Sequence, residues 1–147
     1  MSQTSQMSHV SIELAEQIKK VGLEWVPKER DRLYYDQKNL IVLAVQEYDL
    51  FVACGVELFS ISEHPERSLV WLPFLSQLMA EIEGRGYLWN LDHSTGRYLC
   101  QIGKWKWEKC LWADTTDDAA AMALLWILNR QKEDTQKEIA QKEGVPR

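Results

Sequence analysis

The sequence has few cysteines, and they do not follow the spacing of a disulfide framework or a zinc site. The 147 residues include three, Cys54, Cys100 and Cys110, which is an odd number without a CxxC pair. Each lies in an apolar stretch with no neighbouring base to activate it, so we expect core packing rather than nucleophilic catalysis. Reduced thiols of this kind indicate a cytoplasmic protein.

Long hydrophobic runs are also missing, and we expect no secretory leader. The longest apolar runs, LIVLAV and AAAMALLWIL, are much shorter than the ~20 residues that a membrane-spanning helix needs. The N-terminal segment MSQTSQMSHVS is polar and lacks the basic and apolar regions of a signal peptide. We therefore expect no membrane association, and a flexible N-terminal tail over residues 1–7.

Positive charge is in deficit. The chain has 17 Lys and Arg against 22 Asp and Glu, a formal net charge of −5. Because affinity for nucleic acids depends largely on cationic side chains that displace counterions from phosphates, this composition argues against a general affinity for them. Any nucleic-acid site has to be local.

The usual catalytic motifs are absent. The sequence contains no GxxxxGKS or GxxxxGKT loop and no GxGxxG, GxSxG or HExxH motif. His9, His64 and His93 have no carboxylate or thiol at ligand spacing, so no metal site is predicted. Asp92, His93 and Ser94 are triad residue types, but adjacent side chains cannot form a triad's hydrogen-bond chain. We expect no catalytic residue, cofactor or enzyme activity, and an enzyme with a dispersed active site stays the alternative.

A charged segment covers residues 28–36. Its acidic residues, Glu29, Asp31 and Asp36, alternate with basic ones, which favours a solvated surface in which the charges compensate each other. Paired carboxylates for glycoside hydrolysis would need a cleft and a set separation, which the sequence does not show.

Periodicity and turn residues predict an α+β fold with mainly antiparallel strands. A first helix ends at Gly22, RLYYD and NLIVLAV form a hairpin, and the second of these is expected to be a buried strand. EYDLFVACG fits a short helix or a strand, and VELFSI fits a strand. Pro73 begins a second helix, and the strands GYLWNLD, RYLCQI and WEKCLWAD then precede a final helix. The C-terminal half is therefore ordered α-β-β-β-α, and residues 8–130 are expected to form one domain.

The final helix bears on assembly. Thr115 and Asp118 have the spacing of a helix start, and the segment that follows is apolar on two faces. One face fits a sheet, while Met122, Leu125 and Trp126 point the other way and form a candidate interface, covered either by the first helix or by a second copy in a homodimer. Residues 131–147 are polar and form a charged helical extension or a tail.

The stretch GKWKWEKCLWAD places three tryptophans among cationic residues. Strand alternation would put Trp107 on one face and Trp112 on the other, as packing between a sheet and helices. The alternative is a surface that stacks the bases of single-stranded nucleic acid. We favour packing, with Trp105 as the most exposed ring. The candidate nucleic-acid contacts are Arg97, Lys104, Trp105, Lys106, Trp107 and Lys109.

Residues 86–128, with GYLW, RYLC and WADTTDDAAAMALLWIL, resemble the phage ABA-sandwich family, whose members are small proteins encoded by phages and prophages. The resemblance implies an α-β-α sandwich with an antiparallel central sheet and a helical layer on each side. It implies no activity and carries over no site residue. The sequence thus predicts a non-enzymatic, prophage-type bacterial protein that acts by association with itself or another protein.

Overall fold

The computed structural model describes residues 10–35, 37–46, 49–54, 56–60 and 69–142. The predicted tail over residues 1–7 lies outside these ranges, as do His9, His64 and Asp36. The helices are α1 (Ile12–Val21), α2 (Leu75–Gly84) and α3 (Thr116–Lys142). The strands are β1 (Arg32–Tyr35), β2 (Lys38–Gln46), β3 (Asp49–Cys54), β4 (Glu57–Ser60), β5 (Val70–Leu72), β6 (Leu88–Ser94), β7 (Arg97–Gly103) and β8 (Lys109–Ala113).

The C-terminal half has the predicted order α-β-β-β-α. Strands β6, β7 and β8 form an antiparallel sheet in sequence order, in which Leu91, Cys100 and Leu111 lie side by side. Helix α3 contacts β7 and β8, and α2 contacts β6, so one face of this sheet is covered by helices. The prediction of an α+β fold with antiparallel strands is confirmed.

The other strands form a separate five-stranded sheet in the order β4-β3-β2-β1-β5, again antiparallel. Strand β5, which the sequence analysis did not identify, pairs with β1 through Leu33 and Trp71. We expected one central sheet, and the described strands form two. Periodicity within a strand shows which face is apolar but carries no information on which strands pair.

Two apolar clusters hold these elements together. The larger cluster packs α1, α2 and α3 against the three-stranded sheet, and the alanines of α3 allow close approach of its neighbours. The smaller cluster lies on one face of the five-stranded sheet and includes Leu33, Leu40, Val42 and Val52, all fully buried. The larger cluster also includes Val70 and Leu72 of β5, so the helices pack against both sheets.

The helix ends follow from local hydrogen bonds. The hydroxyl of Ser11 accepts a hydrogen bond from the N–H of Leu14 at 3.4 Å, and α1 ends at Gly22, whose φ of +106° suits glycine. The Thr115 hydroxyl accepts from the N–H of Asp118 at 3.1 Å, which confirms the predicted start of α3. Helix α3 continues to Lys142, so the charged extension is helical up to that residue. Although α3 has 27 residues, neither it nor another helix in the described ranges is apolar enough to cross a membrane.

Candidate functional site

The candidate interface on α3 is half-buried by the chain itself. Met122, Leu125 and Trp126 all pack against the larger apolar cluster, and both α1 and α2 contact α3. The Trp126 ring meets Tyr87 edge-on at 6.5 Å, and the Arg130 guanidinium lies 5.0 Å from its centre. Much of this face is therefore internal packing, and its use between two copies stays a prediction.

The tryptophan-rich stretch forms the turn between β7 and β8. Trp105 has 97% of its surface exposed, the highest value among the tryptophans, as predicted. Trp107 precedes β8, which begins at Lys109, and half of its surface is exposed. The expectation that Trp107 packs as part of a strand is therefore wrong, because the strand begins two residues later.

The backbone of this turn is fixed by three contacts. The N–H of Glu108 donates to the carbonyl of Ile102 at 2.8 Å, and the Glu108 carboxylate accepts from the N–H of Lys104 at 2.9 Å. The same carboxylate pairs with Arg130 at 2.8 Å. A Cβ added at Gly103 would lie 1.7 Å from the carbonyl oxygen of Lys106, so the turn requires glycine at this position.

The structure separates Arg97 from the other candidate nucleic-acid contacts. Arg97 begins β7 and Gly103 ends it, which places Arg97 roughly 20 Å from the turn at the rise of an extended strand. Lys104, Lys106 and Lys109 stay near Trp105 and Trp107, and Lys104 lies 5.1 Å from the centre of the Tyr87 ring. The candidate nucleic-acid contacts that stay close together are therefore those of the turn, without Arg97.

The five-stranded sheet exposes apolar side chains on the face opposite the smaller cluster. Ile41, Ala53 and Leu58 lie side by side on β2, β3 and β4, and Phe51 lies opposite Ala44. The exposed fractions are 45% for Ile41, 37% for Phe51 and 70% for Leu58. We call these five residues the outer sheet face. The sequence predicted a buried strand for NLIVLAV, but the structure buries only one side of it.

Asp31, which was expected to be solvated, is buried with 4% of its surface exposed. Its carboxylate accepts hydrogen bonds from the indole N–H of Trp25 at 2.8 Å, the backbone N–H of Lys28 at 3.0 Å and the amide of Gln77 at 2.7 Å. The charged segment is thus fastened to α2 through one carboxylate. Charge alternation gave no sign of this, because Gln77 is 46 residues away.

A cavity of about 300 Å³ lies beside this network. Trp25 and Trp71 line it with their rings nearly parallel, 9° apart, and their centres 6.1 Å apart. Among its other lining residues are Glu24, Lys28, Asp31, Gln77 and Glu81. The indole N–H of Trp71 is buried and has no hydrogen-bond partner among the described residues. Stacked aromatic walls with a few converging polar groups are typical of ligand sites.

Comparison with known proteins identifies no relative. No protein-family model, curated protein or solved structure matches this chain. The resemblance to the phage ABA-sandwich family therefore stays a prediction. What the protein binds has to follow from its own surfaces and cavities.

The three cysteines have different environments. Cys100 is fully buried, and desolvation, with a smaller contribution from Cys110, raises its pKa to about 12. Cys54 is half-buried. Cys110 is exposed, so the expectation of core packing is wrong for this residue, which lies on the solvent side of the three-stranded sheet beside Gln101.

The residues Asp92, His93 and Ser94 do not converge. They are exposed neighbours on β6, where successive side chains point to opposite faces of the sheet. The Asp92 carboxylate accepts the backbone N–H of His93 at 2.7 Å, and the His93 ring packs on Tyr98 at 4.8 Å. In this arrangement none of the three activates another.

Proposed function

We propose that the protein is a non-enzymatic association module that pairs with a second copy of itself through the outer sheet face. The observation that carries this proposal is the row of uncharged side chains across β2, β3 and β4, three of them large and 37–70% exposed. Exposed apolar patches of this kind mark protein interaction sites more often than isolated apolar residues do.

The size of the patch fits a weak dimer. From the exposed fractions, the outer sheet face presents on the order of 350 Å² of apolar surface. Two such patches together bury less than about 1,200 Å². Interfaces below that size are usually transient. We therefore expect a dimer whose population depends on protein concentration in the micromolar range.

The chemistry of the patch favours a second copy as the partner. The centre of the row carries no charge, so two copies can stack sheet on sheet, about 10 Å apart, without burying an unpaired ion. A twofold axis brings the same residues together from both copies. Because each chain carries a formal charge of −5, salt should screen the repulsion between copies and tighten the dimer.

The test compares two isoleucines of similar exposure. Ile41 on the outer sheet face is 45% exposed, and Ile139 on the polar part of α3 is 49% exposed. Sedimentation of the wild type should show a species of twice 17.2 kDa as concentration rises. Ile41→Lys should remain monomeric and Ile139→Lys should behave as the wild type. A monomeric wild type, or a dimer that survives Ile41→Lys, would reject the proposal.

The α3 face remains the alternative interface. If Met122, Leu125 and Trp126 join two copies, polar substitutions there should give a folded monomer. If they are internal packing, the same substitutions should unfold the protein. Circular dichroism and sedimentation on the same samples distinguish these outcomes.

A second candidate function is weak binding of single-stranded nucleic acid at the turn between β7 and β8. It is supported by the 97% exposure of Trp105 between two lysines. Base stacking on such a ring contributes about 1–3 kcal/mol. Oligonucleotides should quench the Trp105 fluorescence at low salt, the quenching should disappear at high salt, and Trp105→Phe should abolish it. No response at low salt would remove this candidate.

We also propose that the protein belongs to the bacterial cytoplasm and is of prophage type. The free thiols support the compartment, and the resemblance of residues 86–128 supports the origin. Quantitative alkylation of all three thiols, in protein isolated without reductant and then unfolded in denaturant, would test the first point. A disulfide recovered from such material would contradict it.

A further inference from the structure

The cavity beside Asp31 has rigid aromatic walls. Trp25 is held because its indole N–H donates to the buried Asp31 carboxylate, which Gln77 of α2 also contacts. Gln77 is itself fixed, since its side-chain oxygen accepts the N–H of Phe74 at 2.8 Å. Trp71 stacks on Trp25 from β5. Two indole rings are therefore held in place by three different segments of the chain.

The polar lining of the cavity is predominantly acidic. Glu24, Asp31 and Glu81 contribute three carboxylates, against the single ammonium group of Lys28. Three neutral N–H groups satisfy Asp31, and a 3.4 Å ion pair with Arg85 engages one oxygen of Glu81. The cavity therefore presents net negative charge next to two indole rings.

A second cavity, of about 210 Å³, shares both tryptophans with the first. Its other lining residues are Lys19 and the apolar Ala15, Ile18, Leu23 and Leu69. The indole pair thus lines both a space whose polar residues are mainly acidic and a space whose other residues are mainly apolar. A ligand that has a cationic group and a short apolar portion matches this division.

We propose that this cavity binds a small organic cation with an alkylammonium group. Indole faces attract such cations through the negative face of the ring, and nearby carboxylates add to the attraction. The unpartnered N–H of Trp71 would donate to a hydroxyl or carbonyl oxygen of the ligand. The site is separate from the outer sheet face, so ligand binding can be tested independently of whether the protein dimerises.

The same chemistry can come from two sources. One is a free alkylammonium compound, for which choline is the probe. The other is a methylated lysine side chain, for which the probe is a short peptide that contains one trimethyllysine. Both probes should bind, and the tighter one indicates the source.

The experiment measures choline binding by saturation-transfer NMR and calorimetry on the full chain. Binding should occur at millimolar concentration, and the uncharged carbon analogue, 3,3-dimethylbutan-1-ol, should bind more weakly. Glu24→Gln should weaken choline binding about 2- to 5-fold, and Lys28→Gln should strengthen it by a similar factor. Glu29→Gln is the matched control, because Glu29 is exposed in the same segment but does not line the cavity.

Three results would overturn the proposal. One is the absence of binding by both probes at millimolar concentration. Another is equal binding of choline and its uncharged analogue. The third is a failure of the two charge variants to shift affinity in opposite directions. Because Glu24 and Lys28 are exposed, neither substitution should affect folding, and circular dichroism verifies this.

Discussion

The Asp118 carboxylate accepts a hydrogen bond from the backbone N–H of Ser11 at 2.7 Å, although 107 residues separate the two. Ser11 caps the start of α1, and Asp118 lies in the first turn of α3. One carboxylate therefore ties together the beginnings of two helices. This contact fixes α1 on α3 and so determines how much of the α3 surface remains free.

Asp118→Ala should lower the free energy of unfolding by about 2 kcal/mol, because a charge-assisted hydrogen bond to a partly buried N–H is lost. Asp118→Asn keeps a hydrogen-bond acceptor, so it should lower the free energy of unfolding by less than Asp118→Ala does. Asp114→Ala removes an exposed acid next to the same helix start and serves as the control. Urea unfolding measures all three. Equal stability of the Asp118→Ala and Asp114→Ala variants would contradict the assigned role.

Gly103→Ala should destabilise the protein by about 3 kcal/mol, since the added methyl group would clash with the Lys106 carbonyl and open the turn. Gly84→Ala is the contrasting substitution. Gly84 ends α2, and a Cβ added there would have no atom within 4 Å. The substitution should therefore leave the free energy of unfolding unchanged or raise it by up to about 1 kcal/mol. Thermal unfolding of both variants tests the difference, and similar melting temperatures would argue against a closed turn.

Asp31→Asn should lower the free energy of unfolding by about 2–3 kcal/mol. The asparagine amide has a donor in place of one carboxylate oxygen, so at least one of the three N–H groups that donate to Asp31 would face a donor instead. Glu29→Gln, an exposed change in the same segment, should leave stability unaltered. Urea midpoints give the comparison. If Asp31→Asn proves as mild as the control, the network around Trp25 is not what fastens this segment.

The native state should lose stability as pH rises above 9. The unfolded Cys100 thiol releases its proton near its ordinary pKa of 9.0, whereas burial raises the native pKa to about 12. Between pH 9 and 12 the unfolded state therefore binds fewer protons than the native state. The contribution of the Cys100 thiol to the free energy of unfolding is fully present below pH 9 and is lost as the pH rises towards 12. Burial also raises the pKa of Tyr87, which adds to the loss above pH 10.

The Cys100→Ala variant isolates the thiol's share of this effect. Its stability should depend less steeply on pH between 9 and 12 than that of the wild type. Cys110→Ala should change the slope far less, because Cys110 makes only the smaller contribution to the raised pKa of Cys100. Alkylation gives an independent measurement: the exposed Cys110 should react first, and the buried Cys100 only on unfolding. Equal rates at Cys100 and Cys110 would contradict the burial.

The elements that the sequence predicted are those with strong local signals. The Thr115 and Asp118 pair and the glycine stop after α1 each act within a few residues. Strand β5 was missed because three residues, Val70 to Leu72, are too few to show alternation.

The candidate sites depend on contacts that no local pattern encodes. The apolar run around Ile41 predicted burial on both sides, yet only one side of the sheet is covered there. Asp31 was assigned to a solvated surface because its neighbours are charged, but its partner Gln77 and the cavity wall Trp71 come from distant segments. Pairings of this kind depend on tertiary structure rather than on periodicity.

Helix α3 extends beyond the hydrogen bond that joins Arg85 to Gln131 at 2.8 Å, and from Glu133 to Lys142 every residue is exposed. An isolated peptide of that length would form little helix, because the conformational entropy lost in forming the first turn outweighs the single hydrogen bond gained. Here the packed half of α3 supplies that first turn, and the exposed turns extend it. Backbone amides should therefore exchange with deuterium progressively faster towards Lys142, while those around Leu124 exchange only when the whole molecule opens.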